Sequence, residues 1–292
     1  MKCLMAEVNF SEGKDKELIE QVKEAMLDGD PIDLMEISTD ADHNRTVVTF
    51  KGEPKAVLEA AKRLSAKAVE LIDMTKHVGA HPRIGAVDVV PFIPVKEVTV
   101  EEAIEICREF GKFMGDLGVP IYYYEDAATC EGRKSLPKIR KGQYEGLEEK
   151  LKDPEWIPDE GPSDFNAKSG ATVTGVRFPL IAFNVNLQTK DLEIGKKIVK
   201  AVRAATGGYQ HVRAIALSLE DRDGIVQVSM NLTNYERTPI HRVFETIKSE
   251  AAQYGVGVVD CDLVGPVPVY ALMDVLKFYL RTHGFTPEQL YM

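Results

Sequence analysis

The residues best able to do chemistry fall in one short run, His77-Val78-Gly79-Ala80-His81-Pro82-Arg83-Ile84-Gly85-Ala86. An imidazole changes charge near neutral pH, so it can take a proton from an attacking amine and return it to a departing one. His81 is the better placed of the two histidines. The glycines around it let backbone approach a ligand closely. Pro82 drives His81 out of the helical region, into a fixed bend ahead of a strand. A spacing of four, as between His77 and His81, would suit a metal pair on a helix. Gly79 and Pro82 break any helix there, and no glutamate stands between the histidines, so no metal is expected.

Two other runs, Asn9–Lys14 and Asp40-Ala41-Asp42-His43-Asn44-Arg45, sit at strand ends. Asx and His residues favour turns for local reasons alone. A carboxylate there can also hold a cationic amidine, and a guanidinium can grip a carboxylate through two hydrogen bonds. Asp42, Arg45 and Arg83 are therefore the candidate substrate-binding residues. Lys134, Lys138, Arg140 and Lys141 form a basic cluster that could meet an anionic tail or could equally be a solvated face.

The elements that must position these groups alternate short β-type runs with longer helical periods. Cys3–Phe10 reads as a strand, with Ser11 as a candidate N-cap for a helix over 13–28. Strands are expected at Ile32–Ile37 and Thr46–Phe50, then a helix over 54–74 opened by Pro54. Ala86–Val95 is β-rich, though Pro91 and Pro94 predict an edge or a bend in its later part. A helix over 100–117 and a strand Pro120–Tyr124 follow. A second series runs from Leu180 to His283 as strand, helix, strand, strand, helix, strand, helix. The tight turn Asp221–Gly224 joins its middle strands. Both halves share the order β-α-β-β-α-β, so the fold class expected is α/β (α+β), with two ferredoxin-like subdomains over 1–178 and 179–292.

Between the two series of elements, 153–174 is dense in Pro, Gly, Asp and Ser and carries the only tryptophan, Trp156. A loop that long in a compact protein is usually functional, and a cover over a ligand is expected here. Gly170–Gly175 lacks the Gly-Lys-Ser/Thr ending of a P-loop, no G-x-G-x-x-G follows the first strand, and no G-x-S-x-G occurs.

Composition narrows the function classes. The chain has 292 residues, 36 Lys+Arg against 46 Asp+Glu, and a net charge of −10. That balance disfavours nucleic acid and anionic membrane as partners. No apolar run is long enough to span a bilayer, and the N-terminus reaches Glu7 and Glu12 too early for a signal peptide. The scattered cysteines Cys3, Cys107, Cys130 and Cys261 read as reduced thiols of a cytoplasmic protein.

A set of motifs then ties these residues together: NFSEGK (Asn9–Lys14), NRT (Asn44–Thr46), LIDM (Leu71–Met74), HPR (His81–Arg83) with Gly85-Ala86, and DVVPFIPV (Asp88–Val95). Leu136-Pro137, Ile139-Arg140, Gly142, Tyr144-Glu145, Gly161–Ser163, Phe165, Gly170–Thr172 and Ala182–Asn184 continue the pattern. In these the chain resembles, over nearly its whole length, the formiminotransferase domain of folate-dependent glutamate formiminotransferases, fused to a cyclodeaminase in animals. With no room for a cyclodeaminase, a stand-alone transferase is expected.

The resemblance implies transfer of a formimino group from N-formimino-L-glutamate to tetrahydrofolate, a co-substrate bound in a cleft between the subdomains, in a homodimer. It implies His81 as general base and acid. It also implies folate contacts from Gly161, Pro162, Ser163, Asp164, Phe165, Asn166, Ala167, Lys168, Ser169 and Gly170. Animal members carry an aspartate where this chain has Ser38, which leaves Asp40 or Asp42 to steady an amidinium. Their tryptophan before Gly170 is Ser169 here. Two rival readings use the same residues: a folate-dependent transferase with another donor (formiminoglycine or 5-formyltetrahydrofolate), and a folate-binding protein without turnover.

Overall fold

The computed structural model describes residues 2–290. The chain divides into two compact units, Met1–Arg177 and Phe178–Met292. The first runs β1 (Cys3–Phe10), α1 (Lys16–Leu27), β2 (Asp33–Asp40), β3 (Arg45–Gly52), α2 (Pro54–Leu71), β4 (Val87–Lys96), α3 (Val100–Asp116) and β5 (Ile121–Glu125). It continues through short helices α4 (Leu136–Ile139) and α5 (Leu147–Lys150) to β6 (Thr172–Val176). Its six strands lie in the order β2-β3-β1-β4-β6-β5. The first four, antiparallel, make the ferredoxin-like core; β6 and β5 extend it in parallel beyond β4.

Helix starts follow local chemistry. Pro54 opens α2 behind the Glu53 side chain, which accepts from the Lys55 N–H at 2.8 Å. Thr99 and Glu102 form a capping box at α3. The cap of α1 is Asp15 rather than Ser11: its carboxylate accepts from the Glu17 and Leu18 N–H groups, both at 3.0 Å. Ser11 instead donates to the Gly85 carbonyl at 2.7 Å, drawn there because its strand pairs with β4. Asp15→Ala lowers the stability of this unit by about 1 kcal/mol, read as a shift of the urea midpoint.

Two faces of the sheet are filled. Helices α1, α2 and α3 bury Leu64, Phe110, Met114 and their neighbours against Leu4, Phe10, Phe50 and Tyr123 on one face. On the other face Tyr122, Tyr124, Val89 and Val173 pack with Ile139, Leu147 and Leu151. The period of two along β5 thus splits the consecutive tyrosines between two cores. Pairing with β6 on its far side makes β4 an interior strand, not the edge that Pro91 and Pro94 predict. The ladder from β1 accommodates Pro91 by passing from Ala6–Phe92 to Asn9–Val89 without a pair opposite it. At the start of β4, Asn9 and Phe10 face Val89 and Val87, so Asp88 is an extra residue in a β-bulge.

The second unit runs β7 (Ile181–Leu187), α6 (Leu192–Val202), β8 (Val212–Leu219), β9 (Ile225–Leu232), α7 (Ile240–Ala252), β10 (Val258–Val264) and α8 (Val269–Leu280). Its strand order, β10-β7-β9-β8, is the same split βαβ arrangement. Its core gathers Val185, Leu187, Val199, Val243 and Ile247. Among the described residues no helix is long and apolar enough to cross a membrane.

Candidate active site

The candidate residues lie in the first unit: Arg45 at the start of β3, the basic cluster between β5 and α5, and the rest on the loops between β1 and α1, β2 and β3, α2 and β4, and α5 and β6. Asn44 binds three of these loops together. Its side chain accepts from the Gly13 N–H at 2.8 Å and donates to the Val78 carbonyl at 3.0 Å. It is buried, with a left-handed φ of 49° that asparagine tolerates better than most residues. Gly13 and Gly79 permit the approach: a Cβ on Gly13 would sit 2.6 Å from the Arg45 nitrogen, and one on Gly79 would sit 2.7 Å from the Asn44 Cβ. His77 adds a 2.9 Å contact from Nε2 to the Asn44 carbonyl. Asn44→Ala loses two hydrogen bonds and the tolerated φ, about 2–3 kcal/mol of stability by chemical denaturation.

His81 is half-buried, and the His43 ring lies edge-on to it at 6.5 Å. Burial is the largest influence on it, followed by Arg45, Arg140, His43 and Arg83, and together they depress its pKa from 6.5 to about 3. The imidazole is therefore uncharged at neutral pH. It can accept a proton, but the cations around it keep it a weak base. Because the folded pKa lies below the unfolded one, His81's contribution to stability is intact above pH 6.5 and is lost as pH falls toward 3. His81→Gln accordingly gives a shallower loss of stability over that range, measured by denaturant titration at each pH.

The candidate partners separate. Arg83, 5% exposed, is fully engaged: its two terminal nitrogens meet the Glu145 carboxylate at 2.9 and 2.7 Å, and Nε points at His77 Nδ1 at 3.2 Å. The fold brings the turn after α4 against the segment after His81, which gives Arg83 these partners. Asp42 is exposed, and its contacts to the cluster are through backbone: its carbonyl accepts from the Ala80 N–H at 3.2 Å. Asp40, whose side chain is also exposed, meets His43 Nδ1 at 2.8 Å, and hydrogen bonds from His43 hold its pKa low. Ser38 is exposed on β2.

Arg45 opens β3 with its Nε buried and without a hydrogen-bond partner. Asp88 is the residue that sequence reasoning passed over, and Arg140, which it placed in the basic cluster, is the one that pairs with it. Asp88 is 1% exposed, accepts from the Ile84 N–H at 2.9 Å and pairs with Arg140. Burial pushes the Asp88 pKa up, against the pull of Arg140 and that N–H. A lone aspartate in the run Val87-Asp88-Val89-Val90 was the signal available, since a buried carboxylate needs a partner.

The loop Gly161–Gly170 is ordered by its own contacts. Asn166 donates to the Gly118 carbonyl at 3.0 Å and accepts from the Ser169 N–H at 3.1 Å. Lys168 reaches the Glu70 carbonyl at 2.7 Å. Ser169 is buried, its carbonyl accepting from the Ala86 N–H at 2.8 Å. Gly161 and Gly170 both take left-handed φ, 81° and 64°. Phe165 packs on Tyr144, from the turn between α4 and α5, with ring centres 5.6 Å apart. Gly161, Ser163, Asp164 and Ala167 are exposed, and Pro162 is half-buried. The preceding stretch is packed as well. Trp156 lies edge-on to Tyr122 at 6.1 Å, beneath the Lys150 ammonium at 4.2 Å, and Asp159 pairs with Arg133. A cavity of about 570 Å³ lies beside it, lined by Lys141, Gly146, Lys150 and Trp156. None of His81, Arg45 or Asp88 lines that cavity, so the catalytic candidates are an assembly of loops, not its wall. Among the described residues no group of three or more His, Cys, Asp or Glu side chains is arranged to hold a metal ion.

The fold and site define a class, an α+β protein of two split-βαβ units with a half-buried imidazole among arginines in the first. Residues 3–177 match the formiminotransferase domain, N-terminal subdomain, and residues 182–288 match the formiminotransferase domain. The chain is 45% identical over 278 residues to the glutamate formimidoyltransferase of Streptococcus pyogenes serotype M1, covering 95% of this chain and 93% of that one. It is 44% identical over 280 residues to the glutamate formimidoyltransferase of Thermoplasma acidophilum, covering 95% and 92%. It is also 44% identical over 279 residues to the formimidoyltransferase-cyclodeaminase of Gallus gallus, where it covers 94% of this chain and 51% of that one. The chain belongs to the formiminotransferase family.

Proposed function

We propose that this protein moves the formimino group of N-formimino-L-glutamate to tetrahydrofolate, giving 5-formiminotetrahydrofolate and L-glutamate. The N5 amine of the folate attacks the formimino carbon, forming the new C–N bond and a tetrahedral intermediate. His81 takes the N5 proton. It then returns that proton to the glutamate nitrogen as the old C–N bond breaks, so no proton is gained or lost overall. Holding both substrates in place contributes about 7–11 kcal/mol toward the barrier, more than the proton relay.

The observation that carries this reading is His81, uncharged and ringed by Arg45, Arg140, Arg83 and His43. It is a proton acceptor set among groups that attract an anionic amino acid. The relatives' shared name, glutamate formimidoyltransferase, supports the same donor. In this reading Gly161–Gly170 contacts the folate, with Phe165 offering a ring to the pterin. Asp40 steadies His43, and Arg83 orders the loops. The protein acts on small molecules, as a homodimer in the cytoplasm.

The test is an absorbance assay with tetrahydrofolate and N-formimino-L-glutamate, reading the 5,10-methenyl product after acid treatment. Turnover is expected. Turnover only with formiminoglycine or 5-formyltetrahydrofolate would replace the donor, and neither turnover nor folate binding would overturn the reading.

A further inference from the structure

Three arginines surround His81, and they differ in one respect. Arg83 has acceptors for both ends of its guanidinium. Arg140 gives one terminal nitrogen to Asp88 and keeps its Nε buried without an acceptor. Arg45 has a buried Nε of the same kind. A guanidinium carries five N–H donors and cannot shed its charge, so a buried N–H without an acceptor is unfavourable. The sheet brings the two cations together: Phe10 of β1 faces Thr46 of β3 on one side and Val87 of β4 on the other, so Arg45 and the Asp88–Arg140 pair flank the same strand end, and Arg140 acts on the charge of Arg45. Oxygen acceptors carrying negative charge are what the pair lacks.

We propose that Arg45 and Arg140, the latter held by Asp88, form one anion receptor beside His81 that takes a carboxylate of the amino-acid donor. The inference rests on the transferase reading and adds to it the residue Arg140 and a coupling. The charged and titratable groups that act on the imidazole are His43 of the β2–β3 loop, Arg45 of β3, Arg83 of its own segment and Arg140 at the end of α4, with Asp40 paired to His43 and Asp88 of β4 paired to Arg140. Their cations outnumber their carboxylates. A bound carboxylate offsets the charge of Arg45 and Arg140, the two charges that, after burial, most oppose a proton on His81. Donor binding therefore raises the basicity of the group that must next accept the N5 proton. Without donor, His81 stays uncharged. Linkage makes the effect reciprocal, so protonation of His81 tightens carboxylate binding.

Three measurements on the full chain test this. In steady state, Arg140→Gln and Arg45→Gln raise the donor KM by about 30-fold or more while the tetrahydrofolate KM stays within about twofold, and Arg140→Lys recovers part of the loss. A rise in the folate KM instead would assign the receptor to the folate glutamate tail and overturn the proposal. By NMR, the His81 ring signal stays that of the neutral form down to about pH 5 in the protein alone. Saturating L-glutamate moves its midpoint up by about one pH unit or more, and Arg140→Gln abolishes that movement. Calorimetry with L-glutamate reads the receptor without turnover, so it separates the two ideas. If L-glutamate binds both variants as it binds the parent, the receptor is wrong while the transferase reading stands. If the parent shows no turnover but binds L-glutamate through Arg45 and Arg140, the receptor stands and the reaction is wrong.

Discussion

Replacing His81 with alanine lowers kcat by about 10²–10⁴-fold and leaves the KM for tetrahydrofolate within about twofold. The size follows from what the side chain supplies. Proton transfer from N5 to the leaving nitrogen needs one group that changes partner between the two halves of the reaction. The other nearby imidazole, His43, is held by Asp40 at 2.8 Å and its ring centre lies 6.5 Å from that of His81. The rest of the acceleration comes from holding the two substrates together, which the substitution leaves in place, so the variant still exceeds the uncatalysed rate. Initial rates at saturating donor and varied folate measure both quantities. Wild-type turnover in His81→Ala would assign the proton relay elsewhere. A loss confined to KM would make His81 a binding group.

The other large effect is structural. Gly85→Ala places a Cβ against the Ala171 carbonyl and 2.7 Å from the Ser169 carbonyl, both backbone atoms that cannot rotate away. Those atoms belong to a short bridge in which the Ala86 N–H donates to Ser169 at 2.8 Å and the Ala171 N–H donates to Ile84 at 3.0 Å. The bridge ties the segment that carries His81 to the end of the Gly161–Gly170 loop. The substitution must separate them, and the cost is about 3 kcal/mol or more, at the upper end of overpacking because backbone on both sides has to move. Urea titration monitored in the first unit gives the loss of stability. Tetrahydrofolate affinity and kcat fall together in the variant, since one displacement disturbs both loops. Normal stability with normal turnover would mean that the two segments move independently.

Both outcomes trace to residues that differ in how far the sequence announces them. His81 could be picked out from its own neighbours, because Gly79, Pro82 and Gly85 constrain backbone wherever they occur. The alternation of β runs and helical periods announced two βαββαβ series for the same reason: period two and period 3.6 are properties of the chain alone. The short strand β6 was not announced. Its residues Thr172–Val176 follow a Pro- and Gly-rich stretch and read as loop until β4 and β5 offer them a slot between parallel neighbours. Its insertion also turned Pro91 from an edge residue into an interior one.

By itself, then, the sequence determined the two βαββαβ series and the loops that join their elements, since each depends on residues close together in the chain. Tertiary structure decided which charges meet. Arg83 and Arg140 are both arginines in loops, and nothing local says that one closes on Glu145 while the other turns inward to Asp88. That choice depends on a bulge at Asp88 and on a chain that returns α4 to the start of β4 after some fifty residues, |i−j| = 52. Charge acts through space and burial, so the identity of the cations around His81, and the depression of its pKa to about 3, exist only once the sheet has brought those loops together.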